Sequence, residues 1–477
     1  MKSLISFVLH LAPLLVILLE QPHFRMGATA LTNLTAGSSI SPKEHLTSPL
    51  GIFAFGFCNI DPQDPNQLLL AIWFDFGASE CINKTVVWFT RDPTSNQAVI
   101  ATKQAVLSLD GSNRLSLVDG HRTLWIPSQQ FGSALMLLDS GNLQLLAVEG
   151  VGLSWQSFDH PTHTLLPGQN MTKSSAQSLL SKNTDTDFSP GRFTLIVQDD
   201  DDIVMYMMNP PDQTSFSNTS VAYYASGTWH TDEAPTVVFD DSGNLFYHYN
   251  MKRYNMTTQQ PSNPAKSYYH YAALDPDGTV HVYAHQKNTD GTTWDVVSLF
   301  PGDGCNRNIC GPNAYCKVSS LKEQRLSCEC PDGYVFSDEK HKYRGCRPNF
   351  VPHSCDGKDH SGKFTTVKMD NIAWSNQSAY SNFATTALQQ CNTSCLNNCL
   401  CVAVLIDGSS CMEVETLRWE AGKRHQFDST DQNRSNQLFC SSPRTKTEKH
   451  IALHNHWYSG DFICSHYHLY PLAKLRQ

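Results

Sequence analysis

The stretch ALMLLDSGNLQLLAV at 134–148 reads as two short apolar strands closed by a tight turn at Ser140-Gly141-Asn142. Glycine and asparagine tolerate the positive φ that such hairpins require, so turn chemistry and flanking apolar runs agree. The same phrase returns at LDGSNRLSLV (109–118), turning at Asp110-Gly111, and at FDDSGNLFYHY (239–249). Three echoes of one hairpin predict a mainly β chain, a β-prism or barrel of equivalent blades. The runs GIFAFGF (51–57), LLLAIWFDF (68–76) and TVVWFTRDP (85–93) are short and turn-bounded in the same way. From about 165 to 300, GRFTLIVQ (191–198), DIVMYMM (202–208), YYHYAALDPDGTVHVYAH (268–285) and TTWDVVSLF (292–300) continue the pattern, with Asp277-Gly278 as a further turn. The acidic run Asp199 to Asp202 reads as a solvated turn, because adjacent carboxylates point apart instead of wrapping a calcium ion.

The cysteines divide the chain differently. Cys58 and Cys81 stand alone in the first 300 residues and predict one staple. Thirteen of the sixteen cysteines lie between Cys305 and Cys440, in two clusters. The first is Cys305, Cys310, Cys316, Cys328, Cys330 and Cys346; the second is Cys355, Cys391, Cys395, Cys399, Cys401, Cys411 and Cys440. Such crowding marks small domains that bury too little apolar surface to fold unaided, in an oxidising compartment. That setting disfavours a cysteine-rich zinc site. The N-terminus agrees: Met1-Lys2, the apolar run Leu4 to Leu19 and the small residues Ala28-Thr29-Ala30 read as a cleaved secretory signal over 1–30. Eight Asn-x-Ser/Thr sequons, at Asn33, Asn83, Asn170, Asn218, Asn255, Asn376, Asn392 and Asn433, predict a glycosylated surface.

A chain of 477 residues is too long for one core. The formal net charge of −9 argues against a nucleic-acid partner, which needs a basic excess. No second apolar stretch of about 18 residues follows the signal, so no membrane span is expected. Gly-x-Ser-x-Gly and His-Glu-x-x-His are both absent, as are the glycine-rich and His-Arg-Asp motifs of protein kinases, and the tripeptide Asp75-Phe76-Gly77 stands without them. The expectation is therefore recognition without catalysis, and without a cofactor.

The blocks SPLGIFAFGF (48–57), VVWFTRDP (86–93), LLDSGNLQLL (137–146) and above all SWQSFDHPTHTLLPG (154–168) resemble signature stretches of plant S-domain proteins. Those are the bulb-type (G-type) lectin receptor-like Ser/Thr kinases and S-locus glycoproteins, and the sequence is most similar to their grass lectin receptor-kinase subgroup. The resemblance implies tandem bulb-type lectin β-prisms over 31–160 and 161–300 (the second being the S-locus region). It then implies an EGF-like module at 301–347 and a PAN/apple module of mixed α and β structure at 355–440.

It also implies pairings. An EGF-like frame joins Cys305 to Cys316, Cys310 to Cys328 and Cys330 to Cys346. A PAN-like frame joins Cys355 to Cys440, Cys391 to Cys411 and Cys395 to Cys401, with Cys399 as an alternative in the last. The odd cysteine is then a buried thiol or a partner for Cys464. Mannose-binding relatives carry Gln-x-Asp-x-Asn-x-Val-x-Tyr; aligned on Asn142, this chain offers Leu138, Ser140, Asn142, Gln144 and Leu146. Only the asparagine survives, a degenerate remnant, and Leu146 cannot replace a tyrosine hydroxyl. Asn142 and Asn244 are therefore expected to serve as turn residues.

The family's receptors continue into a membrane helix and a kinase, whereas residues 441–477 depart from the pattern. Their His450, His454, His456, Cys464, His466 and His468 are metal-ligand types, but are expected to be an unselected tail with no metal. The resemblance implies an extracellular ligand or partner receptor, with the PAN module as a contact surface. It leaves open a fragment of a receptor kinase and a secreted carbohydrate-binding lectin.

Overall fold

A computed structural model describes most of residues 30–443. Residues 1–29 and 444–477, the segments 209–219, 258–265, 356–363, 371–378 and 416–436, and several shorter stretches lie outside the description. The expected signal peptide, the histidine-rich tail with Cys464, and Asn218, Asn376 and Asn433 fall there.

Six sheets make up residues 30–300, in two groups of three. Sheet I pairs Phe53–Asn59, Leu68–Phe74 and Thr85–Phe89 with shorter flanking strands. Sheet II is the meander Ala105–Leu109, Leu115–Asp119, Arg122–Trp125, and sheet III the meander Gly132–Leu137, Leu143–Ala147, Leu153–Gln156. Sheets II and III each take a fourth strand from the N-terminal segment, Ser38–Ile40 and Asn33–Thr35. The second group repeats the plan. Thr164–Leu165, Gln169–Met171 and Leu179–Lys182 each start a different sheet, and three-stranded meanders complete them in reverse order, giving sheets IV, V and VI. The echoed stretches at 109–118, 138–148 and 239–249 are antiparallel hairpins of sheets II, III and V. Blades of equivalent hairpins, as expected from the echoes, are what the chain builds, in the tandem arrangement that the family resemblance implies.

Alternation explains each core. Ala105–Leu109 runs buried, half-buried, buried, half-buried, buried, so one face of the strand packs inward. Sheet I departs from this: all seven residues of Leu68–Phe74 are buried, because both its faces are covered. Inside the first prism, each sheet contributes one tryptophan near the axis. Trp88, Trp125 and Trp155 meet edge to face, with centroids 6.0, 5.7 and 5.7 Å apart. The Trp88 indole donates to the His160 carbonyl at 2.8 Å, and the His160 ring stacks on Trp155.

Beyond residue 300 come two small hairpins held by Cys305–Cys316, Cys310–Cys328 and Cys330–Cys346. The last sheet has five strands and carries the helix Leu388–Leu396. Cys391 and Cys395, four apart on that helix, are both buried and reach Cys411 and Cys401. The expected Cys355–Cys440 bond is corrected: Cys355 joins Cys399, with their Cα atoms 5.2 Å apart. The chain turns at Asn398 just past the helix, and this brings Cys399 within bridging range. Cys440 instead occupies the strand Gln437–Pro443, in register with Val367 and Ala403.

The acidic run also needs correction. Asp202 is buried, accepting from Ser226 Oγ at 2.7 Å and from the Gly227 and Thr228 amides at 2.9 and 3.2 Å. Asp201 pairs with Lys173 at 3.0 Å. Asp199 stands exposed as expected, but through Asp202 the turn ties two strand ends together.

Replacing Trp155 by alanine removes one blade of the tryptophan contact and is expected to destabilise the first prism by about 3–5 kcal/mol. Chemical denaturation followed by near-UV circular dichroism measures this; a loss below about 1 kcal/mol would show that the contact is peripheral.

Candidate recognition surface

Asn142 and the positions aligned with the mannose motif sit on the sheet III hairpin. Gly141 adopts φ +81°, and an added Cβ would lie 2.4 Å from Leu166, so the turn needs glycine twice over. Asn142 follows it and is 5% exposed. Its Nδ2 donates to Gln156 at 2.8 Å, while its Oδ1 accepts from Ser157 Oγ and the Phe158 amide, both at 3.3 Å. Both ends of the amide are thus engaged within the protein. Gln144 donates to Gln156 at 3.4 Å, and Gln156 donates to both oxygens of Asp159 at 3.1 Å. Leu138 and Leu146 are half-buried and Ser140 is exposed, so the motif positions present no cluster of free polar groups. On sheet V, Asn244 is consumed in the same way: its Nδ2 donates to both Asp240 oxygens, at 3.1 and 2.9 Å.

The stretch 154–168 lies between the prisms and belongs to both. Thr162 and Leu180 present carbonyls to the Arg91 guanidinium at 3.2 and 3.0 Å, and Thr164 Oγ1 donates to the Val87 carbonyl. Around this strap the seam is aromatic. Phe74 lies 4.8 Å from Trp294 and 6.0 Å from Tyr269, Phe76 stacks on His285 at 4.5 Å, and Trp294 Nε1 donates to Thr85 Oγ1 at 2.8 Å. Phe188 of the second prism meets Phe89 edge to face and covers the outer side of sheet I, beside the Cys58–Cys81 bond. The outer side of that sheet is therefore an internal surface.

A second joint, which sequence reading missed, ties sheet IV to the cysteine-rich hairpins. Asp275 accepts from Tyr283 OH at 2.6 Å, faces His281 Nδ1 at 2.8 Å and lies 3.5 Å from Arg325. Arg325 also donates to Asp185 at 2.6 and 2.7 Å and to Tyr283 OH at 3.0 Å. In the turn Asp275-Pro276-Asp277-Gly278, Asp277 accepts from the Leu326 amide at 2.8 Å. A hairpin turn recognisable from sequence thus doubles as a docking point. Burial opposes charge on Asp275, but His281, Arg325 and Tyr283 outweigh it and hold the carboxyl down to about 2. Burial likewise opposes the His281 cation, but Asp275 and then Asp277 hold its pKa above the ordinary histidine value.

Of the described sequons, Asn33, Asn83, Asn170 and Asn255 are exposed and Asn392 is half-buried on the helix. Among the described residues no cluster of metal-ligating side chains occurs, and no helix is long and apolar enough to cross a membrane.

Residues 85–186 match the D-mannose binding lectin family and residues 224–338 the S-locus glycoprotein domain. The chain is 31% identical over 407 residues to the G-type lectin S-receptor-like serine/threonine-protein kinase LECRK3 of Oryza sativa subsp. indica, covering 80% of this chain and 48% of that protein. The chain belongs to the G-type lectin S-receptor-like family. LECRK1 of Oryza sativa subsp. japonica is 29% identical, with 79% of this chain and 48% of that protein covered. RLK1 of Arabidopsis thaliana is 27% identical, with 85% and 49% covered. The chain thus spans about half the length of the curated relatives it matches. Solved structures that it overlaps include monomeric mannose-binding lectins from Gastrodia elata (17% identity, 29% of this chain, 97% of that one, TM-score 0.20). The two-domain Scilla campanulata agglutinin overlaps 55% of this chain and 93% of its own at 14% identity, TM-score 0.19. The prism assignment for this family member rests on its sheet order, not on those overlaps.

The sign of the His281 joint gives a pH dependence. A histidine raised on folding stabilises the native state fully below its unfolded pKa of about 6.5, and that contribution fades as pH climbs through the folded value. Asp275 acts oppositely, stabilising above about pH 4 and losing its contribution as pH falls towards 2. The melting temperature is expected to decline as pH rises above about 6.5, and His281→Gln to abolish that slope. An unchanged slope in the variant would assign the effect to another group.

Proposed function

We propose that this chain is an extracellular recognition module of the receptor-like type, which binds a ligand or a partner receptor and does no chemistry on it. The observation that carries this reading is its alignment, over about four-fifths of its length, with one half of receptor-like relatives whose names record a lectin and a serine/threonine kinase. The phosphoryl-transfer activity named in those relatives belongs to this reading only if the chain is part of a longer receptor. The three bonds Cys305–Cys316, Cys310–Cys328 and Cys330–Cys346 support an EGF-like module, and the helix stapled to a five-stranded sheet supports a PAN/apple module. The clustered bonds and exposed sequons favour an extracellular or cell-surface location.

A secreted carbohydrate-binding lectin is the second reading, favoured by the match to the D-mannose binding lectin family. The Asn142 amide weighs against a mannose site, because a hexose would have to displace bonds to Gln156, Ser157 and Phe158. Saturable binding of the purified glycoprotein to a plant plasma-membrane fraction is expected to survive methyl-α-mannoside and to be lost when that fraction is treated with protease. Absence of saturable binding would sink the recognition reading. Capture on a mannose array, released by methyl-α-mannoside, would favour the lectin instead.

A further inference from the structure

The register of sheet V places two sequons at opposite ends of one row. Asn170 pairs with Val238, Val238 with Phe246, and Phe246 with Asn255. Directly paired residues share a face of a sheet. The adjacent row, through Phe239 and Leu245, is fully buried in the prism core, so the row of Asn170 and Asn255 faces outward. Both asparagines are exposed, and their strands, Gln169–Met171 and Lys252–Asn255, are the two edges of the sheet. Three strand spacings separate them by about 14 Å.

The surface between them has a distinct make-up. The Arg253 guanidinium lies 3.6 Å over the Phe246 ring, and the His248 ring meets Phe246 edge to face at 5.1 Å. Arg253 Nε donates to Asn255 Oδ1 at 3.0 Å, a bond that leaves Nδ2, the atom a glycan occupies, out of it. Exposed edge strands invite pairing with other chains unless something blocks them, and a bulky polar modification does so.

We propose that Asn170 and Asn255 both carry N-linked glycans, and that the pair roofs the outer face of sheet V and guards its two edges. The inner sugars lie over Phe246, Arg253 and His248. Partner recognition then uses other surfaces of the chain, whichever ligand it takes.

Peptide mass mapping of the secreted full chain is expected to find both asparagines occupied. Histidine modification with diethylpyrocarbonate then compares intact protein with folded protein whose glycans have been trimmed by a glycosidase. His248 is expected to react severalfold faster after trimming, while His121, exposed on the first prism, keeps its rate. The single variants Asn170→Gln and Asn255→Gln are each expected to show a partial rise, provided their circular dichroism is native. An unmodified asparagine at either position overturns the proposal. So does a His248 rate that trimming leaves unchanged.

Discussion

Leu165 and Leu166 are neighbours in the chain and lie in different cores. Leu165 packs among Phe193, Leu195 and Val282 in the second prism, and Leu166 among the buried residues of the first, against Gly141. Successive side chains of an extended strand point to opposite sides, so one short segment can be pinned from both directions at once. Gln169 completes the anchorage, accepting from the Leu166 amide and donating to the Phe158 carbonyl. Neither prism can shift against the other without withdrawing one leucine from its core. A fully buried leucine is stabilised by roughly 1.5–3 kcal/mol, so that motion is opposed before the aromatic seam is counted.

The remaining joints extend the constraint along the chain. Arg325 and the Asp277–Leu326 bond lock the cysteine-rich hairpins to sheet IV, and Arg192 donates to the Ile309 carbonyl while lying 4.1 Å over Tyr343. Tyr315, on the first of those hairpins, packs with Met369, Ala403, Leu405 and Val414 of the last sheet. Each module thus lends a side chain to its neighbour, and domains that share residues in this way move together.

What was legible in the sequence was what depends on neighbours in the chain. Turn chemistry at Ser140-Gly141-Asn142 and Asp240-Asp241-Ser242-Gly243-Asn244 foretold the hairpins, because φ > 0 is demanded locally. The His281–Asp275–Arg325 joint was not visible, since Arg325 comes from a segment more than forty residues beyond the hairpin that carries Asp275 and His281, and only tertiary packing removes them from water. Asp202 looked solvated for the same reason: its partners, Ser226 to Thr228, are more than twenty residues away. Cys355 was assigned to the wrong partner because family pattern ranks cysteines by order, whereas bonding depends on where the chain turns after its helix.

The bond from Trp294 to Thr85 spans 209 residues. At a synthesis rate of 5–20 residues per second, about 10–40 s separate the appearance of its two partners. Through most of that interval Phe74 and Phe76 have been made, while Tyr269, His285 and Trp294, which cover them, have not. In the finished molecule Phe74 is buried and Phe76 half-buried in the seam, but in the nascent one this aromatic pair stands uncovered. The seam that makes two prisms into one body therefore makes the half-built chain a natural client for chaperones.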